Sequence, residues 1–355
     1  MTARPPHVPY VEMHVPNAET RVPKAEMHVH LEACARPPLA RRMARTYGES
    51  IEDLIGPDGA SYRHTDFTSF LAAYSRVADL FRTGGDYAEL TETYLDELAA
   101  AKAVYAEIIV WPDHPERLGL PMDDYLAGIA EGIARHARRH GADAVTARLL
   151  VTGVRHEGAE AVERAARTAV RWNADGPRAI DADEPLVVGF GLAGDERLGH
   201  PRDFARAFDR AREAGLSLGC HAGELCGADS VRAALDALAP DRIDHGVRAV
   251  EDASLVARLA AEGPTLTVCP GSNLALGVFP SLAEHPLPRL VEAGCSVALG
   301  SDDPPHFGTS IANEYALADA AGVDGAALTL AAIEGAFCGE ATRARLRAGL
   351  STTGA

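Results

Sequence analysis

The sequence predicts a (β/α)8 TIM barrel, and three observations carry that prediction. Short apolar runs alternate with stretches of helical periodicity, there are eight such runs, and histidines and carboxylates gather where the runs end. Short apolar strands alternating with amphipathic helices imply right-handed βαβ units and a parallel sheet. Eight of them favour a closed barrel over an open doubly wound sheet. No G-x-G-x-x-G motif follows the first run, which argues against a dinucleotide-binding fold. At 355 residues the chain exceeds the size at which most single cores stop growing. Barrels are the common exception, so a single domain over residues 1–355 is expected.

Residues 1–21 are polar and rich in proline, as in a loosely held N-terminal arm. The first strand reads Glu26-Met27-His28-Val29-His30-Leu31-Glu32. Strand side chains alternate between faces, so His28 and His30 point the same way. A helical insertion over about 36–86 follows, and barrels place such insertions above the active-site face. Within it Pro37 can open a helix at its first turn. Phe67, Phe70, Leu71 and Tyr74 recur at helical spacing. That stripe reads as core or as the lid of a pocket, and Phe70 and Leu71 are the residues expected to reach a substrate.

The remaining elements follow in strict alternation. Helices are expected over 87–103, 122–140, 157–172, 201–214, 228–238, 251–262 and 286–293. Strands are expected over 104–110, 145–152, 186–190, 217–221, 242–244, 265–269 and 296–299. Extra helices run from there to the C-terminus.

Composition narrows the function. Hydrophobic residues make up 47% and charged residues 24%, ordinary for a soluble globular protein. A formal net charge of −17 argues against broad nucleic-acid or membrane-surface binding, each of which needs a basic face. The six cysteines form no CxxC pair and read as free thiols in a reducing compartment. Met1 to Asn17 contains no apolar stretch of the signal-peptide kind, and no apolar run reaches ~18 residues. A cytoplasmic protein acting on a small molecule is expected.

The chemistry lies at the strand ends. His28, His30, His221, Glu224, His245, Asp302 and Asp303 fall at or just beyond the carboxyl ends of apolar strands. In a barrel those ends ring one mouth, so residues remote in sequence converge. Each has an ordinary alternative. A single strand histidine is usually just hydrogen-bonded, Glu224 could favour a helix N-terminus, and Asp302-Asp303-Pro304 could be a turn. Those alternatives do not explain why all of them sit at matching ends. Three histidines and a carboxylate suit Zn²⁺, with iron or manganese also admitted. Such an ion makes a hydroxide nucleophile available near neutral pH. His245 can take or hold the proton of a water, and Glu224 can protonate a substrate ring nitrogen. Asp303 can bind another polar ring position, and the Gly194 amide can approach a flat substrate because no side chain intervenes. His306 stands close to this mouth.

These pieces resemble the adenosine deaminase family of the amidohydrolase superfamily. The matching segments are Pro23-Lys24-Ala25-Glu26-Met27-His28-Val29-His30-Leu31-Glu32, Gly191-Leu192-Ala193-Gly194-Asp195-Glu196, His221-Ala222-Gly223-Glu224, His245-Gly246, Val268-Cys269-Pro270-Gly271-Ser272-Asn273 and Ser301-Asp302-Asp303-Pro304. The resemblance implies a barrel with one zinc that removes a purine 6-amino group as ammonia. It places zinc on His28, His30, His221 and Asp302, and Glu224 as proton donor to purine N1. It makes His245 orient the water, Asp303 bond N7 and the Gly194 amide bond N3. Three positions depart from the family pattern: Ala33 (then Cys34) and Asp244, where glycine is usual, and Glu32, where members acting on adenosine often carry Asp. Glu is commoner in branches resembling adenine deaminases or deaminases of derivatives such as aminodeoxyfutalosine. The first expectation is an adenosine or related nucleoside deaminase, with those branches as the alternative. Glu32 is the expected substrate-selecting residue, and the motifs leave the N9 substituent open. A two-metal hydrolase with a carboxylated lysine is disfavoured, because neither Lys24 nor Lys102 follows the fourth strand. Glu196 remains as an alternative bridge.

Overall fold

The computed structural model describes residues 22–352, so the expected N-terminal arm lies outside the described residues. Eight strands form one sheet in sequence order: β1 (Lys24–His30), β2 (Ala103–Val110), β3 (Thr146–Val154), β4 (Val187–Ala193), β5 (Ser217–Ala222), β6 (Arg242–His245), β7 (Thr265–Val268) and β8 (Val297–Leu299). Every neighbouring pair is parallel. Strands buried on both faces read as near-continuous apolar runs, which is why the sequence locates them. The eighth strand meets the first just past its end. His30 donates its backbone N–H to Asp302 O at 3.0 Å, and Asp302 donates to His28 O at 2.8 Å. The barrel therefore closes through the residues that carry the expected ligands. A Cβ on Gly300 would lie 2.4 Å from His28 Cβ, so the approach of β8 to His28 requires glycine there.

Below the mouth, at the start of β6, the Arg242 guanidinium pairs with Glu107 of β2 at 2.6 Å, both fully buried. Arg242 also lies 3.9 Å from the centre of the Phe337 ring, which approaches from the C-terminal segment.

Three helices fill the stretch between β1 and β2. Helix α1 (Pro37–Thr46) starts on proline and buries Leu39, Ala40, Met43 and Ala44. Helix α2 (Phe67–Ala78) is capped by Asp66, which accepts from Ser69 N at 2.8 Å, while Ser69 Oγ accepts from Asp66 N at 3.0 Å. Helix α3 (Gly84–Ala100) is capped by Thr83 and ends earlier than expected, because Lys102 adopts a left-handed backbone (φ 62°) before β2 begins.

Other boundaries move for physical reasons. β4 was expected to stop at Phe190, yet it continues to Ala193, paired residue by residue with Thr152, Gly153 and Val154 of β3. Gly191, Leu192 and Ala193 carry little strand propensity, and the parallel ladder overrides it. The helix expected over 201–214 begins as a 3-10 turn, Pro201–Phe204, and becomes α-helical over Ala205–Glu213. No described helix is long and apolar enough to cross a membrane.

Candidate active site

His28 and His30 project from the end of β1, His221 from β5, and Asp302 from the turn after β8. The Nε2 atoms of His30 and His221 are 3.3 Å apart. Asp302 Oδ1 lies 3.5 Å from His28 Nε2 and 3.6 Å from His30 Nε2. Its other oxygen accepts from Ser272 Oγ at 2.5 Å. Asp302 (φ 62°) and His245 (φ 63°) are two of the four non-glycine residues with left-handed backbone among those described. Strain of this kind concentrates where the surrounding structure must aim a side chain.

The donors fit a divalent cation. His28 Nε2 is buried and has no hydrogen-bond partner, although it faces the other donors. Burial lowers the His28 imidazole, but the Asp244 and Asp302 carboxylates beside it outweigh that and carry the group up to about 10. Burial, then the charges of His221 and His28, lower His30 to about 3. Burial also opposes ionisation of Asp302, but the His28, His245 and His30 imidazoles beside it hold it well below the carboxylate range. The carboxylates thus favour positive charge at this centre, drawing it onto His28 while His30 stays neutral. His28, His30, His221 and Asp302 could hold a metal ion there, and nitrogen with oxygen donors suits Zn²⁺.

Acidic groups stand beside this cluster. Glu224 lies just past β5, with Oε1 3.8 Å from His245 Nε2. Burial, then the Asp302 and Glu196 carboxylates, push Glu224 well above the usual carboxylate range. Burial and the neighbouring Asp302 do the same to Asp303, whose Oδ1 is buried without a partner. Burial keeps His245 neutral, well below the usual imidazole value. The mouth opens into a cavity of about 110 Å³. His30, His221, Glu224, His245, Asp302, Asp303 and Gly194 line it on the polar side.

A family comparison decides what these residues belong to. The model of the adenosine deaminase family matches residues 23–353. The chain belongs to the adenosine deaminase family. It is a hydrolase acting on C–N bonds, within the amidohydrolase superfamily. It is 54% identical to an adenine deaminase of Chelativorans sp. (strain BNC1) over 328 residues, covering 91% of this chain and 96% of that one. It is 53% identical to an adenine deaminase of Rhizobium leguminosarum bv. trifolii, covering 91% and 97%. Among solved structures, an adenine deaminase from Arthrobacter aurescens superposes with a TM-score of 0.80 at 29% identity, covering 93% of this chain and 98% of that one. An amidohydrolase from Burkholderia ambifaria with bound Zn superposes with a TM-score of 0.78 at 27% identity, covering 95% and 93%.

The apolar wall of this deaminase's cavity comes from α2 and from strand ends. Phe67, Phe70, Leu71 and Tyr74 of α2 line it, so the stripe serves as core and lid together. Glu32 is placed differently from expectation. It is buried behind the wall, accepting from Trp111 N at 3.1 Å, from Tyr74 OH at 3.4 Å and from Tyr125 OH. Glu32 therefore braces two lining residues and does not itself line the cavity. His306 also stands behind the wall: it is fully buried, with its ring stacked 4.5 Å from Tyr62 and packed against Phe70 and Tyr74. Glu196 is committed to the loop of Glu224, where it accepts from the backbone N–H groups of residues 223–226. Sequence reasoning missed Trp111, Val154 and His156, which line the cavity. The signal was available, since Trp111 follows β2 directly and Val154 ends β3. Gly194 (φ 94°) could not carry a side chain, because a Cβ would meet His156 Nδ1 at 2.7 Å.

Proposed function

We propose that this deaminase hydrolyses the 6-amino group of free adenine, releasing ammonia and leaving hypoxanthine. The observation that carries the reading is 54% identity, across nearly the whole of both chains, to a protein named adenine deaminase. It displaces the nucleoside reading to which the sequence motifs first point. The cavity agrees in scale: about 110 Å³ is small beside the ~300–1,000 Å³ of sites for drug-sized ligands. A bare purine is flat and compact, whereas a ribose at N9 must find room among Phe67, Phe70, Leu71 and Tyr74.

In this reading His28, His30, His221 and Asp302 hold one zinc ion. When bound, zinc supplies Lewis acidity that brings the ionisation of water toward neutral pH. The protein's own groups do the remainder. The ring nitrogens N1, N3 and N7 of adenine are all acceptors, and the site offers three donors. Glu224, held protonated by burial and its acidic neighbours, gives its proton to N1. Protonation there withdraws electrons from C6 and prepares it for attack. Asp303, protonated for the same reason, donates to N7, and the Gly194 N–H donates to N3. His245 is neutral, so it can accept the water's proton and return it to the departing amine. Water adds to C6, ammonia leaves with the proton His245 carried, and the remaining hydroxyl proton returns to Glu224 as the C6 carbonyl forms, so atoms and charge balance.

The test is product analysis. Purified protein given adenine and zinc should yield hypoxanthine and ammonia in equal amounts. Intact adenine after prolonged incubation would refute the proposal.

A further inference from the structure

We propose that Asp244 is a positioning residue for the metal centre: one carboxylate whose two oxygens set the orientation and tautomer of both His221 and His28. The inference rests on the metal assignment above. β6 lies between β5 and β7 in a register that puts Asp244 beside His221 on one side and Thr267 on the other. Residues in register on adjacent strands share a face, so all three project together into the barrel.

The two oxygens do different work. Asp244 Oδ2 is 3.1 Å from His221 Nδ1, which also faces the Leu192 carbonyl oxygen at 3.1 Å. Both neighbours are acceptors, so His221 Nδ1 carries hydrogen. Asp244 Oδ1 accepts from Thr267 Oγ1 at 2.9 Å. Thr267 Oγ1 is in turn 3.1 Å from His28 Nδ1, while the direct distance from that nitrogen to Asp244 Oδ1 is 3.6 Å, too long for a good hydrogen bond. A hydroxyl has a single proton, and Thr267 gives its proton to Asp244. It can therefore only accept from His28, so His28 Nδ1 also carries hydrogen. In the neutral form that would hold a metal, each ring's Nε2 is then bare. Those two atoms face the centre: His28 Nε2 is 3.5 Å from Asp302 Oδ1, and His221 Nε2 is 3.3 Å from His30 Nε2. A buried negative charge behind two imidazoles also raises their basicity as ligands.

The test measures zinc affinity. Protein stripped with a chelator is reloaded, and the zinc dissociation constant is read by competition with a chromophoric chelator. Asp244→Asn turns one acceptor into a donor and should weaken zinc binding about 10–100-fold. Thr267→Val removes only the His28 arm and should weaken binding less, with Thr267→Ser restoring it. The visible spectrum of the cobalt-substituted protein should change in Asp244→Asn and in Thr267→Val, while the unfolding midpoint of zinc-free Thr267→Val stays near that of the parent. Unchanged affinity in both Asp244→Asn and Thr267→Val would overturn the inference. If Asp244→Asn fails to fold, the two Thr267 variants decide. A parent protein that binds no zinc tightly would overturn the metal assignment and this inference with it. Tight zinc binding without turnover of adenine would refute the substrate reading and leave the affinity comparison to judge Asp244.

Discussion

The Glu196 carboxylate and the backbone of Glu224 are joined at 3.1 Å, the Glu224 N–H donating to Glu196 Oε2. The same oxygen accepts from Leu225 N and Cys226 N, each at 2.8 Å. The other accepts from Gly223 N and from Ser230 Oγ. One carboxylate thus pins the loop that aims Glu224 at the mouth.

Glu196→Gln replaces one of these acceptor oxygens with a donor that faces backbone N–H groups. Loss of a buried hydrogen bond to a charged group costs about 1.5–3 kcal/mol. Urea unfolding should show a loss of that size, and kcat should fall while KM for adenine changes little. Unaltered unfolding together with unaltered turnover would contradict the role.

Glu224→Gln should keep zinc content and adenine binding but lower kcat by ~10²–10⁴, the usual range for a general acid–base group. Zinc by elemental analysis, adenine by calorimetry and turnover by ammonia release separate these quantities. A variant with near-normal kcat would refute the proton-donor assignment.

Glu314 gives a pH prediction outside the catalytic cluster. It is fully buried and accepts from Gly271 N at 2.8 Å and from Thr309 Oγ1. Burial pushes its carboxyl up to about 8, against these hydrogen bonds. A raised acid stays protonated in the folded chain while the unfolded chain has already ionised. The folded state then binds more protons, so its contribution to stability falls as pH rises from the unfolded value near 4.5 to about 8. Glu314→Gln mimics the protonated acid and should flatten the decline of unfolding free energy over that window. An identical slope in parent and variant would count against it.

Much of this was legible in the chain. Strands buried on both faces announce themselves as apolar runs, and the barrel's rule that function gathers at strand ends picks out His28, His30, His221, Glu224, His245, Asp302 and Asp303 before any coordinates. The misses share a cause. Glu32 is expected at the substrate because family members acting on adenosine often carry Asp at that position, but here the turn Leu31–Ala33 places it behind Tyr74 and Trp111. Asp244 and Thr267 act through register with His221, and register between strands is a tertiary property that no single segment encodes. β4 extends to Ala193 because its partner β3 continues to Val154, a long-range effect that local propensity cannot report.

The central claim is that the substrate is the free base. The most direct measurement is kcat/KM for adenine and for adenosine on the same zinc-loaded preparation. The account predicts that adenine is preferred by about 100-fold or more, the discrimination a close-fitting pocket can reach. An equal or larger value for adenosine would contradict it.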